Sequence, residues 1–266
     1  MIPEHRRARI LELLTTHQQT SVNDLADDLG VSRETVRRDL GRLETDGLLR
    51  KVHGGAVPLQ TATEPLLKLR AGQQRLEKLA IGARAAALFG AGDSLFVDAG
   101  TTTAAFGAAL TRVDGLTIIT NSLEVANRIG AGPGDNKVIL LGGEFRGEAL
   151  ETVGPITVEQ IEAFHADYAV LTIGAIDEVG TVCDFNLEEA TVARAMIRQA
   201  RDLTILADHT KFARSALAKV CSLRHACRVV TDSRPGEPLC RIMEDAGVEL
   251  IIADSGAPIP SSLGVR

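Results

Sequence analysis

Four arginines near the amino end have the type and spacing to bind nucleic acid. On a helix they would lie at i, i+4 spacings on its outward side: Arg33, Arg37, Arg38 and Arg42. A guanidinium group bonds guanine O6 and N7 bidentately or clamps a phosphate, and the residues leave open which arginine does which. A lone basic helix is more often an ordinary solvated surface, so this interpretation depends on the elements around it.

A second chemical signal is the segment Ala99-Gly100-Thr101-Thr102-Thr103, which lies between a short apolar run and an apolar helix. Gly100 permits close approach of the backbone to an anion, the first amides of a helix have no intrahelical partner, and the hydroxyls add donors. The segment therefore predicts a phosphate cradle. Threonines are also plain helix caps, so the prediction is supported mainly by the position of the segment after a strand.

Other apolar runs are followed by polar or glycine residues, as expected of a ligand site at the carboxyl ends of parallel strands. The residues that we predict to bind a phosphorylated ligand are Asp98, Gly100, Thr101, Thr102, Thr103, Asn121, Ser122, Gly142, Gly143 and Lys211. Lys211 would supply the charge that compensates the phosphate. No histidine or cysteine spacing indicates a metal site, and no cofactor is predicted.

The amino-terminal elements place the arginines. Apolar residues at helical spacing predict a helix over 6–17, a second after the N-cap Ser21 that ends at Gly30, and a third after Ser32. The stretch LLRKV-HGG-AV predicts two short strands, with Gly54 and Gly55 supplying positive φ in the turn. Three helices and a hairpin form a winged helix-turn-helix, whose third helix enters the major groove. The residues predicted to contact DNA are Ser32, Arg33, Thr35, Arg37, Arg38, Arg42, Lys51 and His53.

The rest of the chain predicts a Rossmann-like α/β domain. Short apolar runs alternate with helical segments, which indicates a mostly parallel sheet covered on both faces. The predicted strands are 94–97, 116–120, 137–141, 168–173, 203–207, 227–231 and 248–253. The predicted domains are a winged helix-turn-helix (1–57), a linker (58–72), an α/β domain (73–254) and a flexible tail (255–266).

Charge and composition agree with a regulator that binds DNA through one small module. The 266 residues carry a net charge of −6, yet residues 1–57 hold nine basic and nine acidic residues, so the rest of the chain holds all of the negative excess. The four cysteines occur singly, as in a protein with reduced thiols. No apolar run has the roughly 20 residues that span a bilayer, and the N-terminal residues include charges, so we expect a cytoplasmic protein without membrane contact.

The motifs resemble those of a known family. VSRETVRRDLGRLETDGLLRKVHGGAV is similar to the amino-terminal signature of the DeoR family of bacterial transcriptional regulators. VDAGTTT, ITNS, LGGEFR, VGP and ADHTKF resemble successive blocks of its sensor domain, which implies a fold like that of ribose-5-phosphate isomerase. The resemblance also implies a sugar phosphate or phosphorylated polyol as effector. The sequence departs from the family pattern at two places. Ala193 stands where a lysine is common, and His209-Thr210 stands where a shorter Asp-x-Ser-Lys is common.

Together these observations predict a DNA-binding regulator of carbohydrate metabolism rather than an enzyme. The resemblance favours a repressor, but the residues themselves do not distinguish repression from activation. We expect a homo-oligomer, a dimer or a tetramer, on double-stranded operator DNA. The alternatives are an isomerase-like enzyme, with Asp98, Asp184 or Glu188 moving a proton, and an interaction module without a ligand. Glu188 and Glu189 also suit the first turn of a helix.

Overall fold

The computed structural model describes residues 3–17, 20–45, 49–52, 54–58 and 67–253. The chain divides into two compact units, Met1–Pro65 and Leu66–Arg266. Most of the predicted linker and the predicted tail (255–266) lie outside the described residues, as does His53.

The first unit is a three-helix domain with a small antiparallel sheet. Its elements are α1 (Pro3–His17), β1 (Thr20–Ser21), α2 (Val22–Leu29), α3 (Arg33–Thr45), β2 (Leu49–Val52) and β3 (Gly55–Pro58), with sheet order β1-β3-β2. The predicted caps of α2 are confirmed: Ser21 and Asp24 form a capping box, and Gly30 ends the helix with φ 63°. One apolar core holds the helices together, and it includes Ile10, Leu14, Leu25, Val36, Leu40 and Leu43.

The two glycines of the hairpin have different roles, and one part of the prediction is wrong. Gly54 has the expected positive φ, 82°, whereas Gly55 does not lie in the left-handed region. A Cβ on Gly55 would lie 2.3 Å from the carbonyl oxygen of Thr20. Gly55 is therefore required because β1 passes close to β3, not because of the turn.

The second unit is built on a seven-stranded sheet. Its strands are β4 (Ser94–Val97), β5 (Thr117–Thr120), β6 (Lys137–Leu140), β9 (Ala166–Thr172), β12 (Ala200–Leu206), β14 (Arg228–Thr231) and β15 (Glu249–Ile252). They correspond to the seven predicted strands, and all neighbours pair in parallel in the order β15-β14-β12-β9-β4-β5-β6. The order reverses between β4 and β9, the topological switch point at which such sheets bind ligands.

Helices cover both faces of this sheet. The helices are α4 (Leu67–Gly72), α5 (Arg75–Ala86), α6 (Thr101–Leu110), α7 (Leu123–Gly130), α8 (Pro155–Glu162), α9 (Leu187–Arg198) and α10 (Glu237–Ala246). Side chains alternate along β4, so that Leu95 and Val97 pack with α5, α6 and α7, whereas Phe96 packs with the core that includes α8, α9 and α10. The predicted burial of the sheet on both faces is confirmed.

Two small antiparallel sheets were not predicted from the sequence. One is the hairpin of β7 (Glu144–Arg146) and β8 (Glu151–Val153). The other has the order β10-β11-β13 and comprises β10 (Ala175–Ile176), β11 (Thr181–Asp184) and β13 (Ala218–Ser222).

The start of the second unit also differs from the prediction. α4 lies within the segment predicted as a linker, and the compact unit begins at Leu66 rather than at residue 73. The reason is a buried amine: Lys78 Nζ of α5 donates to the carbonyl oxygens of Arg70 and Gln73, each at 2.8 Å. These bonds attach the end of α4 to α5.

Candidate DNA interface and candidate effector site

The third helix begins at a side-chain cap. The Ser32 Oγ accepts a hydrogen bond from the amide of Thr35 at 3.2 Å, and the hydroxyls of the two residues are 2.9 Å apart. Val36, Leu40 and Leu43 are buried in the core and Asp39 is buried as well, whereas the arginines of the helix lie on its exposed side. Ser32 thus acts as the predicted cap, and its hydroxyl is engaged within the protein.

The predicted arginines lie on the outer side of α3. Arg33, Arg37, Arg38 and Arg42 are all exposed. Arg37 makes a long contact of 3.8 Å with Glu34, and both side chains are about two-thirds exposed or more. Such a surface pair contributes little free energy and is easily exchanged for a phosphate. For Arg33 and Arg38 no ion pair occurs within the described part of the chain.

A buried ion pair fixes α3 against α1. Arg6 Nε lies 2.5 Å from Asp39 Oδ2, and its Nη2 lies 3.3 Å from Oδ1, a bidentate arrangement. Both side chains are almost completely buried, at 11% and 7% exposed, and the Asp39 contact raises the pKa of Arg6. This pair was not predicted, because Asp39 was considered only as one of the nine acidic residues of 1–57. Its helical position, next to buried Leu40, is the signal that could have revealed it.

The hairpin of β2 and β3 forms the wing. Its Lys51 Nζ lies 2.9 Å from Glu44 Oε2, and its amide donates to Glu44 Oε1 at the same distance. These contacts lower the pKa of Glu44 and connect the wing to the end of α3. Lys51 was predicted to contact DNA, and the structure shows it engaged with Glu44 while its side chain remains 45% exposed. His53, the other predicted wing contact, lies outside the described residues.

In the second unit, the switch point is organised by Asp98. Both carboxylate oxygens lie 3.0 Å from the amide nitrogen of Thr172, so the carboxylate joins the ends of β4 and β9. Burial raises the pKa of Asp98 well above its ordinary value; the Thr172 bond lowers it, and the neighbouring Asp184 and Glu151 carboxylates raise it. We call this edge of the sheet, where the parallel strands end, the carboxyl edge.

Gly100 is required at the carboxyl edge by close packing. Its φ of 172° is ordinary extended backbone, but a Cβ there would lie 2.2 Å from Thr172 Cγ2. The first helical hydrogen bond of α6 runs from Ala104 N to Gly100 O, so the three preceding amides belong to the helix terminus, where an anion binds well. The predicted phosphate cradle would use these three amides, and it stays a prediction.

The three threonine hydroxyls of the cradle are not equivalent. Thr103 is completely buried, and its hydroxyl donates to Gly100 O at 3.2 Å. Thr102 is also buried, whereas Thr101 is partly exposed. The Thr103 hydroxyl is thus engaged within the protein in this structure, and its role as a donor to a ligand stays a prediction.

Four further predicted residues gather where β5 and β6 end. Asn121 Nδ2 donates to Thr152 O of β8 at 2.9 Å, and Ser122 Oγ caps α7 by accepting from Val125 N. Gly142 N donates to Gln160 Oε1 at 2.7 Å, and Gly143 has φ 144°. Ser122 and Gly142 thus have structural roles at this position. Asn121 differs from them, because its Oδ1 is buried and has no hydrogen-bond partner in the described part of the chain.

Lys211 lies on the other side of the switch point. It belongs to a short 3₁₀ helix, His209–Lys211, which follows β12 and is capped by Asp208. β9 separates β12 from β4, which places the two strands about 10 Å apart. The structure therefore puts Lys211 at the carboxyl edge, on the β12 side.

A group of charged residues that the sequence analysis did not assign to the ligand also lies here. Its carboxylates are Glu151, Asp184, Glu188 and Glu189, and its arginines are Arg70 and Arg146. Glu151 is 2% exposed, and burial raises its pKa to about 7; Arg146 and Arg70 lower that pKa, and Asp184 raises it. Arg146 forms an ion pair with Glu188. We call this group the acidic cluster.

The sequence offered a helix-terminal role for two of these acids, with proton transfer as the alternative for Glu188, and the helix-terminal role agrees with the fold. Glu188 and Glu189 lie in the first turn of α9, and their amides donate to Oδ1 of the N-cap Asn186. Glu151 gave no signal, because β8 is too short to show a period. Within the described residues, no group of His, Cys, Asp and Glu side chains is arranged to hold a metal ion. None of the described helices is both long and apolar enough to cross a membrane.

Comparison with known domains gives two matches that together span most of the chain. Residues 6–62 match the DeoR-like helix-turn-helix domain, and residues 73–233 match the DeoR C terminal sensor domain. The seven-stranded parallel sheet thus lies in the sensor match and the winged helix in the other. The predicted family and the predicted fold class are confirmed.

Full-length relatives have the same organisation. The chain is 32% identical to the HTH-type transcriptional repressor CsqR of Escherichia coli K12, over 95% of this chain and 96% of that protein. It is 33% identical to the Glycerol-3-phosphate regulon repressor of the same bacterium, over 92% and 97%, and 32% identical to the HTH-type transcriptional repressor GlcR of Bacillus subtilis 168, over 96% and 98%. These relatives are repressors, so the prediction of a regulator rather than an enzyme is confirmed.

Among solved structures, ribose 5-phosphate isomerase A from Methanocaldococcus jannaschii aligns with 53% of this chain and 55% of its own, at 15% identity and a TM-score of 0.39. A likeness at this level supports no further conclusion.

Proposed function

Because the chain belongs to the DeoR family of transcriptional regulators, we propose that it is a repressor that releases its operator when a phosphorylated sugar or polyol binds at the carboxyl edge. The operator belongs to an operon of carbohydrate metabolism. The protein acts as a homo-oligomer that presents paired winged helices to repeated half-sites, about 10.5 bp or a multiple apart.

The observation that carries the DNA half of the proposal is the outer side of α3. Four exposed arginines lie there, and the core on the inner side and the Arg6–Asp39 pair hold the helix in place. The ion pair of Arg37 with Glu34 is long and exposed, so exchanging it for phosphate or base contacts costs little. In this proposal Arg33, Arg37, Arg38 and Arg42 contact DNA, with support from Thr35 and Lys51.

The effector half is supported by the α6 terminus. Gly100 brings the backbone close to Thr172 at the switch point, and the amides of residues 101–103 precede the first helical hydrogen bond. An oxyanion at this position accepts hydrogen bonds from those amides and faces the positive end of the helix dipole. Lys211 contributes positive charge from the β12 side. The curated relatives include a repressor of the glycerol-3-phosphate regulon, which agrees with a phosphorylated ligand.

The experiment is an operator-binding assay repeated across a panel of phosphorylated sugars and polyols. We expect one or a few compounds to weaken operator binding by 5- to 150-fold, a coupling of about 1–3 kcal/mol. The same compounds should raise the thermal stability of the protein, by about 2.7 kcal/mol at 100 times the Kd. Turnover of any of these compounds at ordinary enzymatic rates, or stabilisation by none of them, contradicts the proposal.

A paired variant separates the two halves. Arg37→Ala combined with Arg38→Ala removes two predicted contacts, each with about 1–3 kcal/mol of discrimination, so operator affinity should fall about 30-fold or more. Stabilisation by the effector should remain. Arg84→Ala, which removes an exposed arginine of α5, is the matched control. Operator affinity retained in the double variant would refute the α3 surface.

A further inference from the structure

We infer that Glu151, together with Asn121, binds the hydroxyl groups of the effector and determines which phosphorylated compound is accepted. The inference rests on the proposed function, because it names the second half of the same ligand site. Asn121 was expected there from the sequence; Glu151 was not.

Two buried oxygens at this edge have no hydrogen-bond partner among the residues that the structure describes. They are Glu151 Oε1 and Asn121 Oδ1, and both are inaccessible to solvent. The Glu151 carboxyl group also has a side-chain hydrogen bond with Glu189. Both residues are 2% exposed. Burying an acceptor without a donor is unfavourable, so two such oxygens in neighbouring segments require an explanation.

The two residues are neighbours through β8. Ser122, which follows Asn121, forms a β-bridge with Glu151. The next residue after Glu151 completes the junction: the amide of Thr152 donates to Asn121 O, and the Asn121 side chain donates back to Thr152 O, each at 2.9 Å. The end of β5 and the start of β8 therefore hold both orphaned oxygens on one rigid junction.

This junction belongs to the same edge as the phosphate cradle. The Glu151 carboxylate is near enough to Asp98 and Asp184 for the charges to interact, and Asp98 lies two residues before Gly100. A ligand whose phosphate occupies the α6 terminus thus has the rest of its chain near Glu151.

The chemistry of the junction selects hydroxyl groups. Asn121 Oδ1 accepts hydrogen bonds, so it requires a donor from the ligand. The Glu151 carboxyl group, whose pKa is raised to about 7, accepts a hydrogen bond when ionised and can also donate one when protonated, and a hydroxyl group of a polyhydroxy chain suits either state. A second phosphate or a carboxylate would add negative charge beside the carboxyl groups of Asp98 and Glu151, whose raised pKa values show that negative charge is disfavoured there. Arg146 and Arg70 already face Glu151 with positive charge, so a cationic ligand group is not required.

The test compares hydroxylated phosphates with analogues that lack one hydroxyl. Thermal shift and calorimetric titration of the full-length protein would use glycerol 3-phosphate, ribose 5-phosphate and glucose 6-phosphate, with propyl phosphate, 2-deoxyribose 5-phosphate and 2-deoxyglucose 6-phosphate as counterparts. Inorganic phosphate alone reports on the cradle, and glucosamine 6-phosphate reports on a cationic group. We expect the best hydroxylated compound to bind about tenfold to hundredfold more tightly than its counterpart.

Glu151→Gln is nearly isosteric and, at about pH 8, above the raised pKa of Glu151, replaces one acceptor by a donor. At that pH it should abolish this preference while leaving the binding of inorganic phosphate unchanged. Glu151→Ser is the second variant, in case glutamine disturbs the junction. Glu148→Gln, an exposed acid of the same hairpin, is the matched control and should behave as the parent protein.

The outcomes separate the inference from the function on which it rests. If phosphorylated sugars bind and both Glu151 variants keep the preference for the hydroxylated compound, the inference is wrong and the proposed function stands. A Glu151-dependent preference for glucosamine 6-phosphate over glucose 6-phosphate also overturns it, because the site would then select an ammonium group. If none of the compounds binds the parent protein, the proposed function fails and the inference fails with it.

Discussion

Single residues at the carboxyl edge combine structural and ligand-binding roles, and Gly100 allows the clearest test. Gly100→Ala would place a Cβ 2.2 Å from Thr172 Cγ2, so the α6 terminus must move away from the switch point. We expect a loss of about 1–3 kcal/mol in the free energy of unfolding and a weaker response to inorganic phosphate.

Thr172→Ser removes the methyl group that the new Cβ would meet. The double variant Gly100→Ala, Thr172→Ser should therefore recover most of the stability and of the phosphate response, as measured by denaturant unfolding and thermal shift. Gly90→Ala, where a Cβ meets nothing within 4 Å, is the control. Unaltered phosphate binding by Gly100→Ala alone would remove the cradle from the proposed site.

Glu151 also predicts how the stability of the ligand-free protein depends on pH. Burial raises its pKa from 4.5 to about 7, so the folded state keeps a proton that the unfolded state has released. The stabilisation is complete below about pH 4.5 and is lost as the pH rises through about 7. Thermal unfolding between pH 5 and 8 should show a falling melting temperature.

Glu151→Gln should flatten this profile, and Glu148→Gln should not. The melting temperature of the Glu151→Gln variant should still fall somewhat with rising pH, because the buried Asp98 also has a raised pKa. An unchanged slope in Glu151→Gln would show that Glu151 is ionised in the folded protein at neutral pH, contrary to its burial.

At the scale of elements, the buried pair between α1 and α3 determines how firmly the arginine-bearing helix is held. Arg6→Ala leaves the Asp39 carboxylate buried without its cation, which costs about 3 kcal/mol, at the low end for such pairs because a tenth of Arg6 remains exposed. We expect a lower melting temperature of the first unit and weaker operator binding. Arg7→Ala removes a charge from the same helix and is the control; an equal loss of stability in both variants would show that the loss is not due to the ion pair.

Long elements were predictable from the sequence, and short ones were not. The seven parallel strands were found because each is a short, mainly apolar run, and α2 was found because Ser21, Asp24 and Gly30 are strong terminal signals. β7 and β8 have three residues each, too few for an alternating pattern, and their polar residues resembled a loop. Glu151 and Arg146 were missed with them.

The same limit applies to the candidate site. Glycine and threonine after a strand indicated the cradle, because that chemistry is local in sequence. The acidic cluster is not local: Arg70 comes from α4, Glu151 from β8 and Asp184 from β11, and only the fold brings them together. The close packing that explains Gly55 and Gly100 likewise depends on distant residues, Thr20 and Thr172.

At the scale of the whole molecule, the question is how the effector site reaches the segment that leads to the DNA-binding unit. α4 is the first described element after that segment, and it contacts α6, the helix whose amino end forms the cradle. Its Arg70 interacts with the Glu151 carboxylate, and its end is bonded to Lys78 of α5. Arg70 therefore connects the proposed hydroxyl-binding residue to the start of the second unit.

We expect the Arg70→Gln variant to bind the effector, but we expect effector binding to weaken operator binding much less than in the parent protein. The variant keeps the cradle, Asn121 and Glu151, so stabilisation by a phosphorylated sugar should remain within a few-fold of the parent. The weakening of operator binding by that sugar, about 5- to 150-fold in the parent, should fall toward no effect. Arg75→Gln, which removes an exposed arginine in the first turn of α5, is the control and should retain the full response.

Two outcomes would contradict this prediction. If Arg70→Gln lost sugar binding and operator response in equal measure, Arg70 would belong to the ligand site. If it lost neither, the signal would leave the sensor unit by a route that does not include α4.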